Sequence, residues 1–229
     1  MFVVKIETPV VIINFKTYTK ATGEKAVLLA QTCERVSNKY DVPIVIAPQI
    51  PDLFRVAKAV EIPVFSQHMD PGEPGRFTGH VLGDTLVESG CTGTLLNHSE
   101  KRMQLADIEE SITKSHKINL FTVVCTNNIQ VSVAAACMNP WSVAVEPPEL
   151  IGSGISVSQA QPEIISGTVE KIRKVNKKVV ILCGAGIGNG DDVAAAIKLG
   201  AQGVLLASAV ANSDKPEPVL SDLVSPLSK

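Results

Sequence analysis

The stretch Val143-Ala144-Val145-Glu146-Pro147-Pro148-Glu149-Leu150-Ile151-Gly152-Ser153-Gly154 sets the reading of the whole chain. It begins as a short apolar run, the form of a buried strand, and ends abruptly on a carboxylate. Pro147 and Pro148 fix their own φ and restrict the residue before each of them, which makes one end stiff. Gly152 and Gly154 leave the other end permissive. A polar-tipped segment between a stiff and a soft end has the form of a lid. The stretch therefore offers a base on a strand end with a closing loop attached. An ordinary strand-to-helix loop with a solvated Glu146 is the competing reading.

Outward from this strand, at 141–145, seven more apolar runs can be read, at 10–16, 43–47, 62–66, 92–96, 119–125, 178–182 and 203–206. Between them lie helical spacings at 24–40, 50–60, 82–89, 104–117, 129–137, 159–175 and 191–199, and a weaker helix from 210 punctuated by Pro216, Pro218 and Pro226. Pro51 stands near a helix start, where proline is tolerated. The segment 67–80, with Pro71, Gly72, Pro74, Gly75 and Gly79, reads as a long loop. Strict alternation of β and α implies parallel strands joined by right-handed crossovers. Eight units predict an α/β fold, a (β/α)8 barrel with outer helices; a doubly wound open sheet is the alternative. No linker or shift of composition divides the chain, so 1–229 is expected to be one domain.

Composition narrows the function classes. The chain has 229 residues, 45% of them apolar, and a formal net charge of −2 without long runs of one sign. That disfavours nucleic acid, whose binding leans on clustered Lys and Arg. No apolar run approaches the roughly 18–20 residues of a membrane span, and Met1-Phe2-Val3-Val4-Lys5 lacks the order of a signal peptide. The five cysteines (33, 91, 125, 137 and 183) are scattered and odd in number. They suit small core residues in a reducing cytoplasm better than a disulfide or zinc framework.

If the barrel holds, polar groups at the strand C-termini converge on one pocket. These are Asn14 and Lys16 from the first strand, Asn97, His98, Ser99 and Glu100 from the fourth, and Glu146 from the sixth. The seventh and eighth strands deliver the small-residue turns 184–188 and Ala207-Ser208. Both turns precede helices, whose N-termini expose N–H groups and partial positive charge, a phosphate signal. A dinucleotide fingerprint from Gly184 fails at Asn189, and no acidic residue follows in 198–203. His-Glu-x-x-His, a phosphate-binding Gly-x-x-x-x-Gly-Lys-Ser/Thr and Gly-x-Ser-x-Gly are all absent. His68, His80 and His116 have no sequence partners and are expected in surface or loop roles.

Asn14-Phe15-Lys16, Asn97-His98-Ser99-Glu100-Lys101-Arg102 and 145–154 resemble the three signature stretches of the triosephosphate isomerase family, in order and on strands one, four and six. The resemblance runs over essentially the whole chain, and the Pro-Pro-Glu-Leu lid and short length resemble the archaeal branch. It departs from the bacterial and eukaryotic pattern at 183–188, where those members carry Gly-Gly-Ser, at Ala207-Ser208 in place of Gly-Gly, and in a lid without tryptophan. These changes leave the individual phosphate contacts open.

The resemblance implies interconversion of dihydroxyacetone phosphate and D-glyceraldehyde 3-phosphate through an enediolate, in glycolysis and gluconeogenesis. Glu146 would be the base, its pKa raised by burial under the lid. His98 would be the electrophile, neutral as that family's histidine is known to be. Lys16 would steady the oxyanion beside Asn14, held by Glu100. Ile151 and Gly152 of a lid at 147–156, Gly186, Ala207 and Ser208 would grip the phosphate, and no metal or organic cofactor is implied. Arg76-Phe77-Thr78-Gly79 resembles the loop that enters the neighbouring subunit, with Thr78 buttressing Asn14 and Lys16. It implies a homodimer or homotetramer. Two further readings remain: a sugar-phosphate aldolase or related phosphate-binding barrel, and a barrel kept as a non-catalytic binding protein. The first would want a strand-end lysine near mid-barrel, where Cys125 and Glu146 stand; the second would be favoured by loss of Lys16, His98 or Glu146, and all are present.

Overall fold

A computed structural model describes residues 5–147 and 160–228. Eight strands form one parallel sheet: β1 Val10–Asn14, β2 Ile44–Ala47, β3 Phe65–Ser66, β4 Gly93–Leu96, β5 Phe121–Thr126, β6 Ser142–Val145, β7 Val180–Cys183 and β8 Gly203–Leu206. Their order is β2-β1-β8-β7-β6-β5-β4-β3. A single parallel bridge, Ile46 to Val64, brings the two outer strands together and closes the ring. The fold is a (β/α)8 barrel. Around it lie α1 Glu24–Tyr40, α2 Leu53–Ala57, α3 Gly83–Glu88, α4 Leu105–Lys117, α5 Ile129–Cys137, α6 Pro162–Val175, α7 Gly190–Lys198, α8 Ser208–Ala211 and α9 Pro216–Val224.

The strands read as continuous apolar runs because both of their faces are buried. Val11, Ile13, Ile44, Ile46, Val143, Ile181 and Val204 pack outward against helix residues such as Leu29, Val36, Ile112 and Ile172. Their neighbours Val10, Ile12, Val45, Leu95, Val123, Ala144, Leu182 and Leu205 fill the barrel. The period of two continues past the strand ends. It aims Asn14, Asn97, Cys125, Glu146, Gly184 and Ala207 at the barrel mouth. The floor is aromatic: Phe121 and Trp141 meet edge to face at 5.2 Å, and Trp141 meets Phe65 at 6.0 Å.

Several boundaries differ from the sequence reading. β3 spans two residues instead of 62–66. Pro63 has no N–H to give a ladder; it offers only its carbonyl, to Ile46 N–H at 3.1 Å. β1 stops at Asn14, because Lys16 adopts φ 48 and leaves the extended region. The segment from Ile50 is a 3-10 turn, Ile50–Asp52, running into the short α2. Four of the cysteines are buried, but Cys137 is exposed. His68 lies in the loop, one of the two roles expected of it, but is buried there and paired with Asp70 at 2.8 Å.

The loop 67–80 has a tied neck and an exposed tip. Asp70 N–H donates to Val81 O at 2.8 Å, and Val81 N–H donates to the Asp70 carboxylate at 2.7 Å. The buried Lys114 ammonium holds Gly72 O at 2.6 Å and the carboxylates of Glu73 and Asp84, both at 2.9 Å. Beyond this anchor Arg76, Phe77, Thr78 and Gly79 are exposed.

Candidate active site

Asn14, Lys16, His98, Glu146, Gly186, Ala207 and Ser208 line one cavity of about 250 Å³ at the barrel mouth, together with Tyr18, Gly184 and Leu205. Ile151 and Gly152, and all of the lid except Pro147, lie outside the described residues.

Each polar group has a local reason for its place. Lys16 sits in a left-handed conformation, costly for a residue with a Cβ. Asn14 compensates: its side-chain carbonyl accepts the Lys16 N–H at 2.9 Å. Gln67 adds a clamp, donating to Lys16 O at 2.9 Å and to Ala47 O at 3.0 Å. The Lys16 ammonium reaches Glu100 at 2.7 Å. Asn97, also at positive φ, turns the chain so that His98 faces the cavity out of step with the strand alternation. That turn is held by Asn97 donating to Cys125 O and accepting from Met103 N–H, both at 3.0 Å, while Arg102 donates to Asn97 O at 3.0 Å.

His98 Nδ1 accepts the Glu100 N–H at 3.2 Å. Burial pushes the imidazole down to about 4, with Lys16 and Arg102 assisting and Glu100 opposing. A neutral ring with Nδ1 occupied as acceptor carries its hydrogen on Nε2. That nitrogen lies 3.9 Å from the Glu146 carboxylate, too far for a direct hydrogen bond. Glu146 is itself buried, its N–H fixed to Thr126 O at 2.7 Å. Burial raises its pKa to about 7, eased by the Cys125 thiol, Lys16 and Arg102. Its Oε2 has no hydrogen-bond partner among the described residues. A carboxyl near neutrality and a neutral imidazole thus flank one space.

The opposite wall is backbone. Gly186 has φ 71, a conformation that favours glycine. The two turns differ from one another. At the N-terminus of α7 the Asn189 side chain caps Asp192 N–H at 3.0 Å, and Asp192 accepts Gly188 N–H at 2.9 Å. The Gly190 N–H is taken by Asp222 at 2.9 Å. Those donors face their own carboxylates and amide rather than the cavity. The cavity wall is formed instead by the turn at Gly186 and by Ala207-Ser208, before the four-residue α8.

Sequence reasoning missed Gln67, the holding role of Asn97, Arg102, Tyr18 and the position of Gly184. Asn97 and Arg102 stood within a motif that drew attention to their neighbours; Gln67 stood in a loop and carried no signal. Among the described residues no group of three or more His, Cys, Asp or Glu is placed to hold a metal. No helix there is long and apolar enough to cross a membrane.

Comparison with known proteins agrees with the geometry. Residues 9–225 match the family model described as triosephosphate isomerase. A triosephosphate isomerase of Methanothermobacter thermautotrophicus is 54% identical over 219 residues, covering 96% of each chain. One from Methanobacterium bryantii is 52% identical over 96% of this chain and 97% of its own. One from Methanosarcina acetivorans is 51% identical over 95% of this chain and 98% of its own. With a matching family model, near-complete coverage and a (β/α)8 barrel, the chain belongs to the triosephosphate isomerase family.

Proposed function

We propose that this isomerase interconverts dihydroxyacetone phosphate and D-glyceraldehyde 3-phosphate through an enediolate. One observation carries the reading: a buried carboxyl with a pKa of about 7 faces a neutral imidazole across 3.9 Å in a cavity with a cation on its rim. Glu146 takes a proton from the carbon next to the carbonyl and returns it to the neighbouring carbon. A base poised near the working pH suits both steps. His98 Nε2–H donates to the carbonyl oxygen, gives it a proton as the enediolate forms and takes one back from the neighbouring hydroxyl, so the O–H proton changes oxygen as the C–H proton changes carbon. The ring is neutral at the working pH and offers its single N–H to these oxygens; this family is a known example of such a donor. Lys16 stabilises the developing oxyanion and attracts the dianionic substrate, and Asn14 keeps the lysine backbone in its turned conformation.

The phosphate sits against the N–H groups at Gly186, Ala207 and Ser208, with Ile151 and Gly152 of the 147–156 lid completing its cage. Closure shields the enediolate from water. The reading needs no metal or organic cofactor and no nucleic-acid or membrane partner. It places the chain, as one domain, in the cytoplasm. The anchored, exposed finger at 71–80 supports a homodimer or homotetramer in which Thr78 reaches the Asn14–Lys16 turn of a neighbour. An undiminished activity in a monomer, by sedimentation and dilution assay, argues against that assembly.

The test is turnover of D-glyceraldehyde 3-phosphate, with product read by coupled glycerol-phosphate dehydrogenase, with and without chelator. Fast turnover insensitive to chelator is expected. A folded sample that is inert toward both triose phosphates overturns the reading.

A further inference from the structure

The wall directly beside Glu146 is Gly184. The β6–β7 ladder runs one step beyond the strands, Gly184 N–H donating to Val145 O at 3.0 Å, so residues 146 and 184 lie side by side in the mouth. A Cβ built on Gly184 falls inside van der Waals contact of Glu146 Cγ, with Oε1 at 3.0 Å and Cδ at 3.1 Å. The glycine is not required by its backbone: its φ lies outside the left-handed range that makes alanine strained, unlike Gly186. The three atoms nearest to a methyl group there all belong to the Glu146 side chain. The clash reaches its middle methylene, not a flexible tip, so Glu146 could evade it only by changing rotamer.

We propose that Gly184 is a positioning residue for the base, its missing side chain leaving the slot in which the Glu146 carboxyl lies buried opposite His98. The inference rests on the isomerase reading for its effect on rate, but the placement itself is geometric. The titratable groups that act electrostatically on the carboxyl are Lys16 from the turn after β1, His98, Glu100 and Arg102 from the segment after β4, Cys125 from β5 and, from the outward face of β7, Cys183. None is altered by a methyl group at 184. A change in the ionisation of Glu146 in Gly184→Ala therefore reports movement of Glu146. Moved out of its slot, the carboxyl gains solvent, and its pKa falls back toward the ordinary carboxylate value.

The experiment compares wild type, Gly184→Ala, Glu146→Ala and the double variant. In Gly184→Ala, kcat is expected to fall about 10- to 100-fold, as misplacement of a reacting group near 1 Å does, with KM changed less than about threefold. The acid limb of kcat/KM moves to lower pH relative to wild type with the same substrate, so the substrate's own phosphate ionisation cancels. The melting temperature drops more when alanine is introduced beside Glu146 than in the Glu146→Ala background. Unchanged kcat and pH limb in an active wild-type comparison overturn the proposal. An equal loss of melting temperature in both backgrounds overturns it as well. If Gly184→Ala fails to fold, rescue by Glu146→Ala supports the slot, and failure of the double variant overturns it. A wild type inert toward triose phosphates sinks the isomerase reading instead, while the thermal cycle still decides the placement.

Discussion

At the C-terminal end of the strands, a carboxyl is buried with one oxygen that has no partner among the described residues, an imidazole is held neutral, and Lys16 takes a left-handed conformation unfavourable to its residue type. At the N-terminal end of the same strands, Phe65, Phe121 and Trp141 close the floor in edge-to-face and stacked contacts. Gly93 there leaves room for the Phe65 ring, as Gly184 leaves room for Glu146 at the mouth. One glycine serves packing, the other a reactive group. The same strands supply both ends, so the difference lies in what their inward positions and the turns beyond them carry. The mouth holds groups that weaken the fold; the floor and the two apolar layers offset them. Substitutions at the two ends should therefore separate activity from stability.

The largest effect is expected at the mouth. Glu146→Gln keeps the shape and removes the carboxylate proposed as the base, so turnover of D-glyceraldehyde 3-phosphate should fall roughly 10²–10⁴-fold, the range of general acid–base catalysis. A loss below about tenfold in the coupled assay would remove Glu146 from the mechanism. Next comes the floor: Phe65→Ala should destabilise by about 3–5 kcal/mol in denaturant unfolding, with kcat of the folded fraction within about twofold of wild type. A matching collapse of kcat would mean that floor and mouth are coupled.

The smallest effect concerns stability at the mouth itself, and its sign is unusual. Glu146 titrates at about 7 in the folded protein against an ordinary value of 4.5. Between those values the folded state binds more protons, so stability falls as pH rises through the window, and the full penalty is present above 7. Glu146→Gln lacks that penalty. Its melting temperature should exceed that of wild type at pH 8, by an amount equivalent to about 1–3 kcal/mol, and the gain should shrink toward pH 5. His98, lowered from 6.5 to about 4, destabilises both proteins as pH falls below 6.5 and leaves the difference between them largely intact. A lower melting temperature for Glu146→Gln at pH 8 would show that the carboxylate is an asset to the fold.

The same contrast explains what could be read in the sequence. Strands buried on both faces announce themselves as apolar runs, so the eight strands and their order along the chain were legible. The polar residues that end those runs, Asn14, Lys16, His98 and Glu146, were legible for the same reason. β3 was overdrawn because apolar composition continues through Pro63, where the hydrogen-bond ladder cannot. Gln67 and Gly184 act across strands, on Lys16 and Glu146 respectively, and nothing in their own neighbourhoods records a partner 51 or 38 positions away. At the N-terminus of α7 the N–H groups of Gly188, Gly190 and Asp192 are taken by Asp192, Asp222 and Asn189, which the small-residue turn in the sequence does not disclose. Capping by residues just inside a helix is readable locally, but the reach of Asp222 is not.

The most direct test of the account is the ionisation of Glu146 in the free protein. Carbon-13 at the side-chain carboxyls of glutamate, with Glu146→Gln to assign the resonance, gives the titration by nuclear magnetic resonance. A midpoint of about 7 is the result expected of a carboxyl buried in the mouth. A midpoint near 4.5 would contradict the account, because it would place the Glu146 carboxyl in solvent and leave the mouth without the feature that sets it apart from the floor.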